Sequence, residues 1–279
     1  MAVKIVTDST CDLPKALVQA HDITVVPLTV FFGDEAFLDG VELSVDDFYQ
    51  RLATAKELPR TSQPSAELFQ EAYLEAAADG SEIVSIHISS KLSGTLNAAS
   101  VAREAIAHEV HIDLIDSYNV SLGLGLIVLE AARAAQRGNS LSEVVATARR
   151  VMDRVSVHVV LDTLDYLQRG GRIGRARSFL GSVLSIKPIV RVDDGEVAPF
   201  ERVRTKAKAV ERIFELATSM ARSKEMFVGS SGDDAAARAL LGRIRPQLPH
   251  TDLLLGQLGP VVGVYTGPGA LGIAALERE

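Results

Sequence analysis

I-H-I-S-S-K-L-S-G-T-L-N-A, residues 86–98, reads as an apolar strand running into a hydroxyl-rich loop and then a helix. The strand is expected over Ile83 to Ile88 and the helix from Thr95 to about His108. A helix start leaves backbone N–H groups unpaired and carries a partial positive charge, so the loop favours an anion. Ser89, Ser90, Ser93 and Thr95 set hydroxyl donors beside it. The turn has no acid, no His and no Cys. It is suited to holding a negative group rather than breaking bonds in one.

The same alternation extends outward from this unit. Lys4 to Thr7 reads as a strand ending in Asp8-Ser9-Thr10, followed by a helix that Asp12 caps and that carries Pro14 in its first turn. Ile23 to Phe32 is a second apolar stretch. Ser44 opens a helix to about Thr54. Ser65 opens another, with Phe69, Ala72, Tyr73 and Ala76 at helical spacing. A strand follows at His111 to Ile115, ending in Asp116-Ser117. A long apolar helix then runs from Val120 to Gln136, and Ser142 starts one more that ends near Arg154. Successive βα units predict a Rossmann-like parallel sheet over residues 1–154.

The pattern changes after Val155. Val157 to Leu161 is a strand, followed by the Arg/Gly-rich run L-Q-R-G-G-R-I-G-R-A-R at 167–177. Pro188 to Val192 and Val197 to Arg202 flank Asp193-Asp194-Gly195, a hairpin turn by composition. A helix from Thr205 to Arg222 precedes a strand at Met226 to Ser230. The end reads as strands Asp252 to Leu258 and Val261 to Tyr265, then Thr266-Gly-Pro-Gly and a short helix. Residues 155–279 are thus expected to form a mixed-sheet α/β domain.

Ligands of parallel sheets bind outside the carboxyl ends of strands. Asp8-Ser9-Thr10, Ser89 to Ser93 and Asp116-Ser117 occupy such ends. Thr61-Ser62-Gln63-Pro64 and Thr266-Gly267-Pro268-Gly269 are comparable turns that can converge on one cleft. Simple helix capping accounts for Ser44 and Ser65. For Ser93, capping and ligand binding remain open alternatives.

Of the 279 residues, 47% are hydrophobic but only 5% aromatic, so the core is built of Ala, Val, Leu and Ile, as in α/β proteins. A single cysteine, Cys11, excludes an internal disulfide and a Cys-based metal cluster. With no charged-then-apolar leader and no long apolar run, a cytoplasmic protein is expected. Net charge of −7 argues against nucleic-acid binding. Residues 1–154 carry −10 and residues 155–279 carry +3, which fits two domains and a basic surface on the second.

No P-loop, no G-x-G-x-x-G after the first strand and no G-x-S-x-G is present. Gly123 and Gly125 lie in an apolar helix as packing positions, and Gly170-Gly171 suits a helix C-cap. The six histidines (His21, His87, His108, His111, His158 and His250) show no metal-binding spacing; His87 and His158 fall within strands. A self-sufficient hydrolase or phosphotransferase using Asp8, Asp116 or His87 is the competing reading. A regulatory module for another anionic lipid is a third.

Taken in order, T-D-S-T-C-D-L-P at 7–14, T-S-Q-P-S at 61–65, I-S-S-K-L-S-G-T at 88–95 and L-x-x-G-G-R-I at 167–173 resemble the DegV family. K-P-I at 187–189 and T-G-P-G at 266–269 extend the likeness over nearly the whole chain. The resemblance implies a two-domain α/β fold with one long-chain fatty acid between the domains and no cofactor. It also implies a FakB-like role: the lipid-binding subunit of bacterial fatty acid kinase, whose separate kinase subunit phosphorylates the bound acid for phospholipid synthesis. Membrane contact is then at most transient. By matching position, Thr61 and Ser93 bond the carboxylate, Ser62, Gly94 and Thr95 shape the pocket, and Arg172 faces the kinase. Tyr265 stands next to Thr266 where many relatives have His, so this position supplies a hydrogen bond and no positive charge at pH 7.

Overall fold

The computed structural model describes residues 2–181, 186–232 and 234–279. In the first half the elements are β1 (Val3–Asp8), α1 (Lys15–Ala20), β2 (Ile23–Val26), β3 (Thr29–Phe32), β4 (Glu35–Leu38), α2 (Val45–Thr54), β5 (Arg60–Ser62), α3 (Ala66–Ala76), β6 (Glu82–His87), α4 (Thr95–Ala105), β7 (Ile112–Asp116), α5 (Leu122–Gln136) and α6 (Leu141–Met152). Then come β8 (Val155–Val160), α7 (Asp165–Arg169), β9 (Lys187–Asp193), β10 (Glu196–Val203), α8 (Lys206–Ser219), β11 (Ser223–Ser230), α9 (Asp234–Ile244), β12 (Asp252–Gln257), α10 (Pro260–Thr266) and β13 (Leu271–Glu277).

β2-β1-β6-β7 form a four-stranded parallel sheet. Its central strands, β1 and β6, are buried on both faces, as βα crossovers require. A mixed sheet of six strands runs β10-β9-β8-β13-β11-β12, with β11 and β12 parallel and the other neighbours antiparallel. α5 is buried on nearly every side because it packs between the two sheets: Leu124, Ile127 and Val128 share one core with Val84 and Ile86 of β6 and with Phe227 and Ala274 of the larger sheet. The other face of that sheet buries Val160, Met226, Val228 and Ile273 against α8 and α9. Arg133 on α5 pairs with Glu225 on β11 at 2.7 Å and with Glu130 at 2.8 Å, tying the layers by charge as well as by packing.

Local chemistry accounts for many boundaries. Ser44 and Ser65 accept the N–H groups of Asp47 and Leu68, so both are ordinary caps. α6 starts one residue before the expected Ser142: Ser140 is its cap, and Glu143 returns to the Ser140 N–H. Asp194 and Gly195, both with positive φ, make the tight turn between β9 and β10. α7 ends at Gly170, and Gly171 follows at φ +71°, the expected C-cap pair.

Three expectations fail. Val261 to Tyr265 is helix α10, not a strand. Pro260 at its first position presets φ and lacks an N–H that a helix start would leave unpaired. Val261 and Val264, three apart, then pack with Phe48, outweighing the β preference of valine. Thr266-Gly-Pro-Gly leads not to a helix but to β13, which lies centrally between β8 and β11. Its Ala/Leu run reads as helical, yet burial on both faces suits a central strand. Asp12 does not cap α1, which begins after Pro14 with no side-chain cap. Instead Asp12 has φ +52°, and its carboxylate accepts from Ser121 Oγ (2.5 Å) and the Gly259 N–H (3.0 Å). The apolar run 23–32 also divides at Pro27-Leu28: β2 joins the parallel sheet, while β3 joins a small antiparallel sheet in the order β4-β3-β5. That sheet and α9 were absent from the sequence pattern.

Candidate ligand site

The small sheet brings the first site residue into place. Thr61 lies in β5, and its hydroxyl sits 2.6 Å from the Tyr265 hydroxyl on α10. The Arg172 guanidinium covers the Tyr265 ring at 5.0 Å and donates to the carbonyls of Gly170 (2.8 Å) and Leu92 (3.4 Å). Leu92 precedes Ser93 in the loop that starts α4. On that loop Ser93 Oγ lies 2.8 Å from Thr95 Oγ1 and accepts the Thr95 N–H at 3.3 Å. Gly94 faces Gln63: a Cβ at Gly94 would displace the end of the Gln63 side chain, whose amide lies against the glycine. Thr61, Ser93, Gly94, Thr95, Tyr265 and Arg172 are therefore connected through a short chain of contacts. Ser62, half-buried in β5, stands opposite Thr29 in the small sheet.

Thr266 joins this cluster to a cavity. It follows Tyr265, donates its hydroxyl to the Val262 carbonyl (3.1 Å), and lines a cavity with about 610 Å³ of empty space, counting its mouth. The walls are almost wholly apolar, with Val159, Val190, Val192, Val197 and Leu122 prominent. The strand register explains the floor. Val190, Val159, Gly272 and Gly229 follow one another across β9, β8, β13 and β11, and Gly256 on β12 continues the row past the cavity. Such a space suits hydrocarbon, and Thr266 on its wall adjoins Tyr265, whose hydroxyl meets that of Thr61.

A second set of polar groups has the geometry of a Ser-His-Asp relay. Ser85 Oγ lies 2.6 Å from His87 Nε2, and His87 Nδ1 lies 3.0 Å from Asp8 Oδ2. Asp8 also accepts from the Ile88 N–H and from Thr10, while Ser85 meets Tyr73 OH at 2.9 Å. All three relay residues are 0% exposed. A substrate carbonyl has no path to Ser85, so the arrangement satisfies buried polar groups in the core. This removes Asp8 and His87 from the hydrolase reading. Asp116, its third candidate, accepts from the Ser90 hydroxyl and N–H and orders the loop before Ser93.

The chain matches the family model described as "Uncharacterised protein, DegV family" over residues 2–278. The chain belongs to the DegV family. A DegV domain-containing protein of Streptomyces coelicolor is 40% identical over 281 residues, covering 99% of each chain. The solved structure of a fatty-acid-binding DegV family protein from Thermus thermophilus aligns with a TM-score of 0.91 at 35% identity, covering 100% of each chain. A stearic-acid-binding protein from Eubacterium ventriosum aligns with a TM-score of 0.90 at 27% identity, covering 99% of this chain and 98% of that one. This DegV protein therefore shares the α/β architecture, a parallel and a mixed sheet, of structures described as fatty-acid binding.

Sequence reasoning missed several residues that shape the site in this DegV protein. Gln63 lies inside the T-S-Q-P motif but has no titrating or nucleophilic group to draw notice. The Val159–Val190 wall and the glycine row exist only once five strands are placed side by side. Among the described residues no group of three or more His, Cys, Asp or Glu is arranged to hold a metal ion, and no helix is long and apolar enough to cross a membrane.

Proposed function

We propose that this DegV protein holds one long-chain fatty acid between two lobes, residues 1–154 and 155–279, and presents its carboxylate to a separate kinase subunit. The observation that carries this reading is the apolar cavity meeting a cluster of hydroxyls at α10, through the neighbours Tyr265 and Thr266. Thr61 and Ser93 hydrogen-bond the carboxylate; Ser62, Gly94, Thr95, Tyr265 and Thr266 shape the space around it. Burying about 15 methylene groups gains roughly 12 kcal/mol gross, which ordering of the chain and loss of free motion offset in large part.

The head-group chemistry suits transfer of a phosphoryl group from a partner. Hydroxyl donors and helix-start N–H groups stabilise an ionised carboxylate without a titrating base, leaving an oxygen as nucleophile. Catalysis of such a transfer is mainly positioning and charge stabilisation, which the kinase subunit with ATP and Mg²⁺ supplies. The binding subunit performs no catalysis of its own, works in the cytoplasm and touches membranes only in passing. Arg172, exposed above Tyr265, faces the partner, and the acyl-phosphate passes to phospholipid synthesis.

The decisive experiment is extraction and mass spectrometry of lipid from protein purified from bacterial cells, with palmitate and oleate added to a delipidated sample. Bound fatty acid at one molecule per chain is expected. Protein that arrives empty and takes up neither acid overturns the proposal. Turnover of ATP or phosphate esters by the isolated chain would instead point to an enzyme.

A further inference from the structure

We infer that Leu122 is a stopper that sets how long an acyl chain this protein accepts. The inference rests on the fatty-acid reading above. The cavity crosses β10, β9, β8, β13 and β11. Four strand-to-strand steps span about 19 Å, close to the reach of an extended long-chain acyl tail.

The floor changes character along that path. On β9 and β8 it carries valine side chains, Val190 and Val159. On β13 and β11 it carries Gly272 and Gly229, and Gly256 of neighbouring β12, just outside this cavity's lining, is a third bare position in the same register. Leu122, at the start of α5, fills the space over the last two. A Cβ at Gly229 would collide with Leu122 Cδ1, and one at Gly256 would sit 2.6 Å from Cδ2.

Gly256, which Leu122 covers, also lines a second cavity, with about 1560 Å³ of empty space including its open side. Gly256, Gly259, Cys11, Leu13 and Asp12 are among its lining residues. The backbone of the partition is firmly anchored. Ser121, at φ +56°, donates its N–H to the Thr10 carbonyl (2.8 Å) and its hydroxyl to Asp12, which also accepts the Gly259 N–H. The Leu122 side chain, resting on two glycines, is the adjustable part of this wall. A tail that ends before Leu122 is fully buried. A longer tail meets the isobutyl group and leaves its last methylenes without burial. Removing that group joins the two spaces and opens room for a longer tail.

The test equilibrates delipidated protein with equal amounts of palmitate, stearate and arachidate and measures the bound acids by mass spectrometry. Relative to the unmodified protein, Leu122→Ala raises the ratio of bound arachidate to palmitate by at least about tenfold, the effect of burying two more methylenes. Leu122→Val, with a smaller change in volume, shifts the ratio the same way by less and serves if the alanine variant fails to fold. Gly256→Ala presses Leu122 toward the first cavity and shifts the profile toward palmitate. Bound acids in unchanged proportions in the folded variants overturn the stopper while leaving the fatty-acid reading intact. An unmodified protein that binds none of the three acids overturns that reading, and the stopper with it.

Discussion

Ser85–His87–Asp8 and Thr61–Tyr265 are both chains of polar groups linked by hydrogen bonds of 2.6–3.0 Å. The first contains a serine, an imidazole and a carboxylate in relay order; the second contains only hydroxyls. By residue type the first looks like the functional one. Their surroundings reverse that judgement. The relay is enclosed by Phe69, Tyr73 and the parallel sheet, with the Phe69 ring edge-on to His87 at 5.0 Å. The hydroxyl pair stands at a junction of α10, β5 and the α4 loop, with an apolar cavity reached through the next residue. A polar group buried with its partners adds to the specificity of the core. The same kind of group beside an empty hydrophobic space can meet a ligand.

The largest effect that would break this contrast concerns stability. His87→Ala leaves the Asp8 and Ser85 oxygens short of a partner and opens a void, so unfolding free energy in denaturant titration should fall by about 3–5 kcal/mol. The molecules that remain folded should bind fatty acid as before. A variant of unchanged stability that lost binding would place the relay in the site.

Asp39 sharpens the comparison from inside the buried set. It is 4% exposed, and its Oδ2 has no hydrogen-bond partner among the described residues. Burial pushes its carboxyl up to about 7, from an ordinary value of 3.8, against the pull of the Ser9 hydroxyl and the Val261 N–H. The folded chain therefore holds a proton that the unfolded chain releases between about pH 4 and pH 7. Stability from this group is retained below that window and lost through it as pH rises, by about 4 kcal/mol in all. Asp39→Asn should remove most of that slope in unfolding curves taken across the window, leaving a remainder from Asp12, which burial also raises. A slope identical in the two proteins would contradict the assignment.

The third effect is on binding. If Thr61 and Ser93 hold the carboxylate as proposed, Thr61→Val combined with Ser93→Ala removes two hydrogen bonds to it, and palmitate affinity should weaken by about 3 kcal/mol, roughly a hundredfold. Isothermal titration reads the affinity, and a thermal melt shows whether the fold is retained. Unchanged affinity would move the head group elsewhere.

Much of the fold was legible because its signals act over a few residues. The serine caps of α2 and α3, the Asp194-Gly195 turn and the apolar periodicity of α3 all require only neighbours in sequence. α10 and β13 were misread for the opposite reason. Valines with high strand preference formed a helix, and an Ala/Leu run formed a central strand, because each had two faces to bury against distant segments. The site divides in the same way. Ser93, Gly94 and Thr95 were visible as a helix start rich in hydroxyls. Gln63 and Leu122 were not, since an amide and an aliphatic side chain carry no chemical signal until something is set against them.

Sequence alone determined the alternation of βα units, the chemistry of each turn and the absence of familiar nucleotide and nucleophile motifs, because those depend on backbone and side-chain preferences within a single turn or strand. Tertiary structure decided which hydroxyls meet, which imidazole is sealed away and where the empty space lies. Thr61 and Tyr265 are 204 residues apart, and a cavity belongs to no segment of the chain. It is what remains when rigid elements from opposite ends of the sequence pack without filling the gap between them.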